Sequence, residues 1–184
     1  MDTGISRPLF MRIAVALAIA AVSAAFVFGQ ASARAQPATQ SLLVQAKAAE
    51  LKGDFLGAAA LYQKLLAARP NEPEILQRLG LVYYLSGRFG DAIPVLAKAA
   101  KLDPSLWGAD LFLGISYYRT GRFSEALSPL HRALRLKPDL AEANLWLGSA
   151  LLAEHEPEAA VPYLRGASNS ARIGAQADSL LVQA

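Results

Sequence analysis

Apolar residues in the middle of the chain recur at intervals of three and four. Ile75, Leu76, Leu79, Val82 and Tyr83 share one side of one such segment. That spacing predicts an amphipathic helix, which turns once every 3.6 residues. Gly87 ends it, because glycine takes the left-handed conformation without a side-chain clash. A second helical pattern follows from about Gly90 to Leu102, with Ala92, Ile93, Leu96 and Ala99 on one face. Asp103-Pro104 stops it, since proline disfavours helix at the residue before it. The pattern then begins again. Leu113, Gly114, Tyr117, Gly121, Phe123, Ala126, Leu130, Ala133 and Pro138 each stand 34 residues after a counterpart in the first pair of helices.

The same count extends along the chain. Gly80, Gly114 and Gly148 keep it, as do Pro70, Pro104 and Pro138, then Gly53, Gly87 and Gly121, and Ala58, Ala92, Ala126 and Ala160. A repeat of this length is one pair of helices that cannot bury its apolar face alone, so the copies must stack. The expected architecture is all-α, with units at 39–72, 73–106, 107–140 and 141–174. A polar linker, 36–40, precedes them, and a capping helix or truncated fifth unit, 175–184, follows. The end units depart from the pattern, as units with one unpartnered face do. Unit one has Gln45-Ala46 in place of Leu-Gly, unit four has His155 in place of the turn glycine, and the tail Ser179–Ala184 repeats Ser41–Ala46. Glycine within a helix costs roughly 1 kcal/mol relative to alanine. At Gly80, Gly114 and Gly148 that cost is expected to permit close approach of the second helix. Pro94, Pro129 and Pro162 fall early in the second helices, where each removes one backbone hydrogen bond.

These units resemble tetratricopeptide repeats. The match is carried by Leu79-Gly80-Leu81-Val82-Tyr83 with Ala92, Leu96, Ala99 and Pro104, and by Leu113-Gly114-Ile115-Ser116-Tyr117 with Ala126, Leu130, Ala133 and Pro138. The resemblance implies a right-handed superhelix, or α-solenoid, whose first helices line a concave groove that binds a peptide or helix of a partner protein. It implies no catalysis. First-helix residues left over after packing against the second helix then become groove candidates. They are Gln77, Leu81 and Tyr84 in unit two, Leu111, Ile115 and Tyr118 in unit three, and Leu145, Ser149 and Leu152 in unit four. Each trio has i, i+4, i+7 spacing and shares a helix face. Leu43, Lys47 and Glu50 are the counterparts in unit one. Leu81, Tyr84, Leu111, Ile115, Tyr118 and Leu145 are the expected apolar centre, with Arg119 and Lys47 the cations near it. The competing reading is that several of these residues pack between neighbouring first helices. The array of Lys, Asn and Arg with which some family members clamp a C-terminal carboxylate is missing.

The N-terminus changes the picture of where the protein acts. Arg7 and Arg12 precede an uncharged run from Ile13 to Gly29, and Ala31-Ser32-Ala33-Arg34-Ala35 offers two A-x-A sites. This reads as a secretory signal peptide over residues 1–35, placing the mature chain in the bacterial periplasm or outside the cell. The alternative is an uncleaved anchor holding a membrane-bound assembly subunit, though 17 residues lie at the short edge for spanning a bilayer. The formal charge of +3 arises mostly here: beyond residue 35, 15 basic side chains face 14 acidic ones. No nucleic-acid partner is expected from so even a balance.

Little in the chain carries chemistry. Cysteine is absent, which excludes disulfides, thiolate metal sites and a cysteine nucleophile. His131 and His155 have no second ligand at useful spacing, and Glu154, Glu156 and Glu158 read as a solvated turn. Arg119, Arg122, Arg132, Arg135 and Lys137 form the one basic concentration, interrupted by Glu125 and read as a solvated face. Neither a phosphate-binding glycine loop nor a G-x-S-x-G elbow is present. The expectation is a non-enzyme without cofactor or metal, whose partner is another protein. The sequence leaves its oligomeric state open.

Overall fold

The computed structural model describes residues 39–184. The targeting segment therefore lies outside the described residues, as does the linker up to residue 38. Thr39 and Gln40 are already helical, so helix reaches back into the segment expected as linker. Leu43–Ala184 makes one compact unit, and of the other, Met1–Leu42, the described residues are helical.

Helix follows helix, with no strand among the described residues. The elements are α1 (39–51), α2 (Phe55–Ala68), α3 (Pro73–Leu85), α4 (Phe89–Leu102), α5 (Trp107–Arg119), α6 (Phe123–Leu136), α7 (Ala141–Ala153), α8 (Pro157–Ser168) and α9 (Gly174–Leu181). The pairs α3–α4, α5–α6 and α7–α8 form antiparallel hairpins, and each second helix also packs on the next first helix. First helices further touch one another, α3 on α5 and α5 on α7, whereas the second helices make no comparable contact. Closer spacing on one side curves a stack toward that side, so the first helices form the inner layer of this superhelical unit.

The recurring small residues set the hairpin spacing. A Cβ on Gly80 would lie 2.4 Å from Leu96 Cγ, and one on Gly114 would lie 2.5 Å from Leu130 Cγ. At Gly148 the distance to Leu164 Cδ2 would be 2.6 Å. Leu96, Leu130 and Leu164 are fully buried, as are Ala92, Ala126 and Ala160. Unit one solves the same problem differently, with Ala46 and Tyr62 at the positions of glycine and leucine. Tyr62 is fully buried, and its hydroxyl donates to Glu50 Oε2 at 2.8 Å.

The turns repeat as closely as the core. Gly53, Gly87 and Gly121 have φ of 76°, 76° and 75°. His155, their counterpart, has φ 62°, so unit four keeps the turn and accepts the strain of a side chain in the left-handed region. The arginine after each central turn lies over the tyrosine of its own first helix: Arg88 over Tyr83 at 4.7 Å, Arg122 over Tyr117 at 4.5 Å. At the C-terminal end α9 packs against α8. Its Gly174 and Ala177 are buried against α8, and Ser168 Oγ donates to Asp178 Oδ1 at 2.6 Å.

Candidate functional site on the inner face

The inner layer carries two rows of side chains that follow the repeat. Tyr84 and Tyr118 lie near the C-terminal ends of α3 and α5. Phe112 and Trp146 lie on the next first helix in each case. Tyr84 packs against Phe112 with ring centroids 5.1 Å apart and against Phe89 of α4 at 5.6 Å. Tyr118 packs against Trp146 and against Phe123 of α6, both at 5.1 Å. All six rings are partly buried, so each presents some area to solvent. In unit one the Tyr position holds Glu50, and in unit two the Phe/Trp position holds Arg78. These make an ion pair, Arg78 Nη1 to Glu50 Oε1, at 3.1 Å. The ladder is thus polar at one end and aromatic through the middle.

Several expected groove residues fall elsewhere. Leu111, Ile115 and Leu145 are only 1%, 2% and 2% exposed, which makes them core rather than groove. The reason is the contact between first helices: α5 sits between α3 and α7, and side chains aimed along that seam are covered by their neighbours. Ser149 is buried too, its hydroxyl donating to Leu145 O at 2.8 Å. Leu81, Tyr84, Tyr118 and Leu152 remain partly accessible and Arg119 is exposed. Gln77 is intermediate, with a buried Oε1 that has no hydrogen-bond partner among the described residues. Its side chain runs beside Gly108, where a Cβ would lie 3.1 Å from Nε2.

Sequence reasoning did not reach Phe112, Trp146 and Leu85 as surface residues. Each stands one position beyond a groove candidate, and the first two share a register. The signal for them was the recurrence of large aromatic residues 34 apart at a position that helix–helix packing inside a unit does not require. Leu85 is 45% exposed at the C-terminal end of α3.

The charges on this face are sparse. Arg119 holds its guanidinium over the Phe89 ring at 4.6 Å and has no carboxylate partner among the described residues. The rest of the basic concentration is mostly engaged. Arg122 pairs with Glu125, Arg132 Nη2 with Asp110 Oδ1 at 2.6 Å, and Lys137 lies over Trp107 at 5.4 Å. Arg119 is therefore a cation free to meet an anionic group, beside apolar and aromatic area. His131 stands edge-on to Tyr163 at 5.5 Å, and burial holds its pKa below the ordinary value, with Arg135 adding to the effect. Among the described residues no cluster of three metal-ligating side chains occurs, and no helix is long and apolar enough to cross a membrane.

Comparison with known proteins agrees with the fold. A family model described as Tetratricopeptide repeat matches residues 43–106 and 111–177. Two solved structures described as "Crystal structure of MamA" and "Crystal structure of MamA protein" are similar, with TM-scores of 0.69 and 0.68 at 29% and 28% identity. The matches cover 74% and 79% of this chain and 80% and 85% of those chains. A third, described as "MamA AMB-1 P212121", has a TM-score of 0.65 at 25% identity and covers 70% of each chain. No curated protein matches the chain in sequence.

Proposed function

Because the chain belongs to the tetratricopeptide repeat family, whose architecture is that of a protein-interaction scaffold, we propose that its inner face holds a helical or extended segment of a partner protein. The observation that supports this is the ladder of partly exposed rings, Tyr84–Phe112 and Tyr118–Trp146, flanked by Leu85 and by Arg119, which has no carboxylate partner among the described residues. Aromatic side chains offer large area with a polar tip at little entropic cost, and a groove of this kind accepts an amphipathic segment. Arg119 would favour a partner with a carboxylate beside its apolar anchor.

The proposal includes export. Residues 1–35 have the layout of a signal peptide, so the scaffold would work in the periplasm or outside the cell. Intact-mass measurement of protein from the native envelope tests that part. Loss of about 35 residues is expected, and a full-length mass would favour the anchored assembly subunit instead.

The inner face is tested with a photocrosslinking residue at Leu85, and separately at Leu102 on the second-helix layer as a control. A discrete crosslinked partner from Leu85 alone is expected, with recovery falling at least about tenfold on Arg119→Glu. Equal crosslinking from the two positions would remove the inner face from the account. Leu85 and Arg119 are better probes than the tyrosines, whose removal would also take away ring contacts between units.

A further inference from the structure

A pocket of about 430 Å³ opens at the edge of the stack, where the α6–α7 loop meets the end of α8. It is independent of the inner face. Its origin follows from the repeat count. In unit three, Asp110 of α5 is nearly fully buried and is held by Arg132 of α6, with Nε at 3.0 Å and Nη2 at 2.6 Å from the same carboxylate oxygen. The residues 34 further on are Asn144 and Gly166. Trp107, three residues before Asp110 on α5, is likewise replaced by Ala141. Two large side chains are thus truncated at once, and the space an arginine fills in unit three is a pocket in unit four.

The lining is matched to a cationic donor. Asn144 is nine-tenths buried, and its Nδ2 makes one long hydrogen bond to Pro138 O at 3.5 Å. No donor from the described residues meets its Oδ1. Gly166 lets the amide lie flush against α8, since a Cβ there would come within 3.1 Å of Asn144 Cγ. Asp139 stands exposed on the rim with no cation paired to it among the described residues, and Asn169 and Ser170 complete the wall. No Lys or Arg lines the pocket. The exchange of Asp110 for Asn144 is consistent with the loss of the arginine: an unpaired buried carboxylate is far costlier than a buried amide.

We propose that this pocket receives an arginine side chain presented by a partner protein, which supplies in trans the guanidinium that Arg132 supplies within unit three. A guanidinium offers five N–H donors in a planar fork and accepts nothing. Asn144 Oδ1 and the Asp139 carboxylate are the acceptors it meets, and Asp139 supplies the counter-charge.

Titration of the ¹⁵N-labelled protein with the peptide Ac-Ala-Ala-Arg-Ala-Ala-NH₂ tests this. Saturable amide shifts are expected at the Asn144 side chain, Gly166, Asn169 and Ser170. The citrulline peptide, isosteric and neutral, should bind at least about tenfold more weakly. Asn144→Asp should tighten arginine binding by about fivefold, by adding a charged acceptor. The double variant Asn144→Asp with Gly166→Arg rebuilds the unit-three pair and should abolish binding. Asp139→Lys, on the exposed rim where folding is not at stake, should abolish it too. Binding that survives both closures, equal binding of the citrulline peptide, or no shifts at these residues would overturn the proposal. So would tighter binding of free L-arginine than of the peptide, since the site would then serve a metabolite.

Discussion

Replacing Gly114 by alanine should destabilise the protein, although by helix propensity alone it should help. Gly114 lies within α5, where alanine is favoured over glycine by roughly 1 kcal/mol. Against that stands the hairpin contact. The added Cβ would lie 2.5 Å from Leu130 Cγ and 2.8 Å from its Cδ2, with Ala126 O at 3.2 Å on the backbone side. Carbon atoms pack best at about 3.5–4.0 Å, so the approach is about 1 Å too close. Leu130 is fully buried, and its Cγ cannot swing away as the tip of a long side chain would. Either Leu130 leaves its rotamer or α5 and α6 separate, and overpacking of this kind costs about 1–3 kcal/mol. The expected net loss for Gly114→Ala is about 1–2 kcal/mol, and more for Gly114→Leu. Gly90 is the control. It lies in α4, and a Cβ added there would have no neighbouring atom within 4 Å, so Gly90→Ala should be neutral or stabilising by up to about 1 kcal/mol. Urea unfolding followed by circular dichroism reads both, as midpoint shifts of opposite sign at unchanged slope. In a Leu130→Ala background the clash is gone, and Gly114→Ala should become neutral or stabilising, a coupling that a double-mutant cycle isolates. A midpoint for Gly114→Ala at or above that of the parent would refute the close-approach account of all three glycines.

Three further outcomes are expected. Tyr62→Phe should lower stability by about 1.5–3 kcal/mol, because Glu50 loses the buried hydroxyl donor and keeps only Arg78; thermal melting of the single variant checks this. His155→Gly should raise stability by about 0.5–1 kcal/mol. It relieves roughly 1–2 kcal/mol of left-handed strain at φ 62°, offset in part by the greater freedom of glycine in the unfolded chain, and a melting temperature that falls would contradict it. Since burial depresses the pKa of His131 below its ordinary 6.5, the unfolded chain takes up the proton first as pH falls. Stability from this site is therefore present above pH 6.5 and lost progressively below it. His131→Phe should flatten that part of the pH–stability curve, and an unchanged slope between pH 7 and 5 would exclude His131 as its source.

Everything local or periodic about this protein is legible in the chain alone. Helix spacing at Ile75–Tyr83, stops at Gly87 and Pro104, and the 34-residue recurrence are properties of short segments, and they required stacked hairpins because no single unit could bury its own apolar face. Close approach of the two helices at Gly114 was legible for the same reason, since α5 and α6 belong to one unit and the glycine recurs in the next; that Leu130 is the side chain it meets came from the packing. What lay between units was settled by packing in three dimensions. Whether Leu111, Ile115 and Leu145 faced solvent or a neighbour depended on how closely α3, α5 and α7 approach, a distance that no one helix's pattern contains. Tyr84 and Tyr118, near the helix ends, are covered only in part, by Phe112 and Trp146 of the next first helix. The pocket at Asn144 shows the division most plainly. The exchange of Asp110 and Arg132 for Asn144 and Gly166 was written in the sequence, but only the packing of α7 on α8 revealed that the two positions touch, and that removing a side chain from one leaves an acceptor-lined space beside the other.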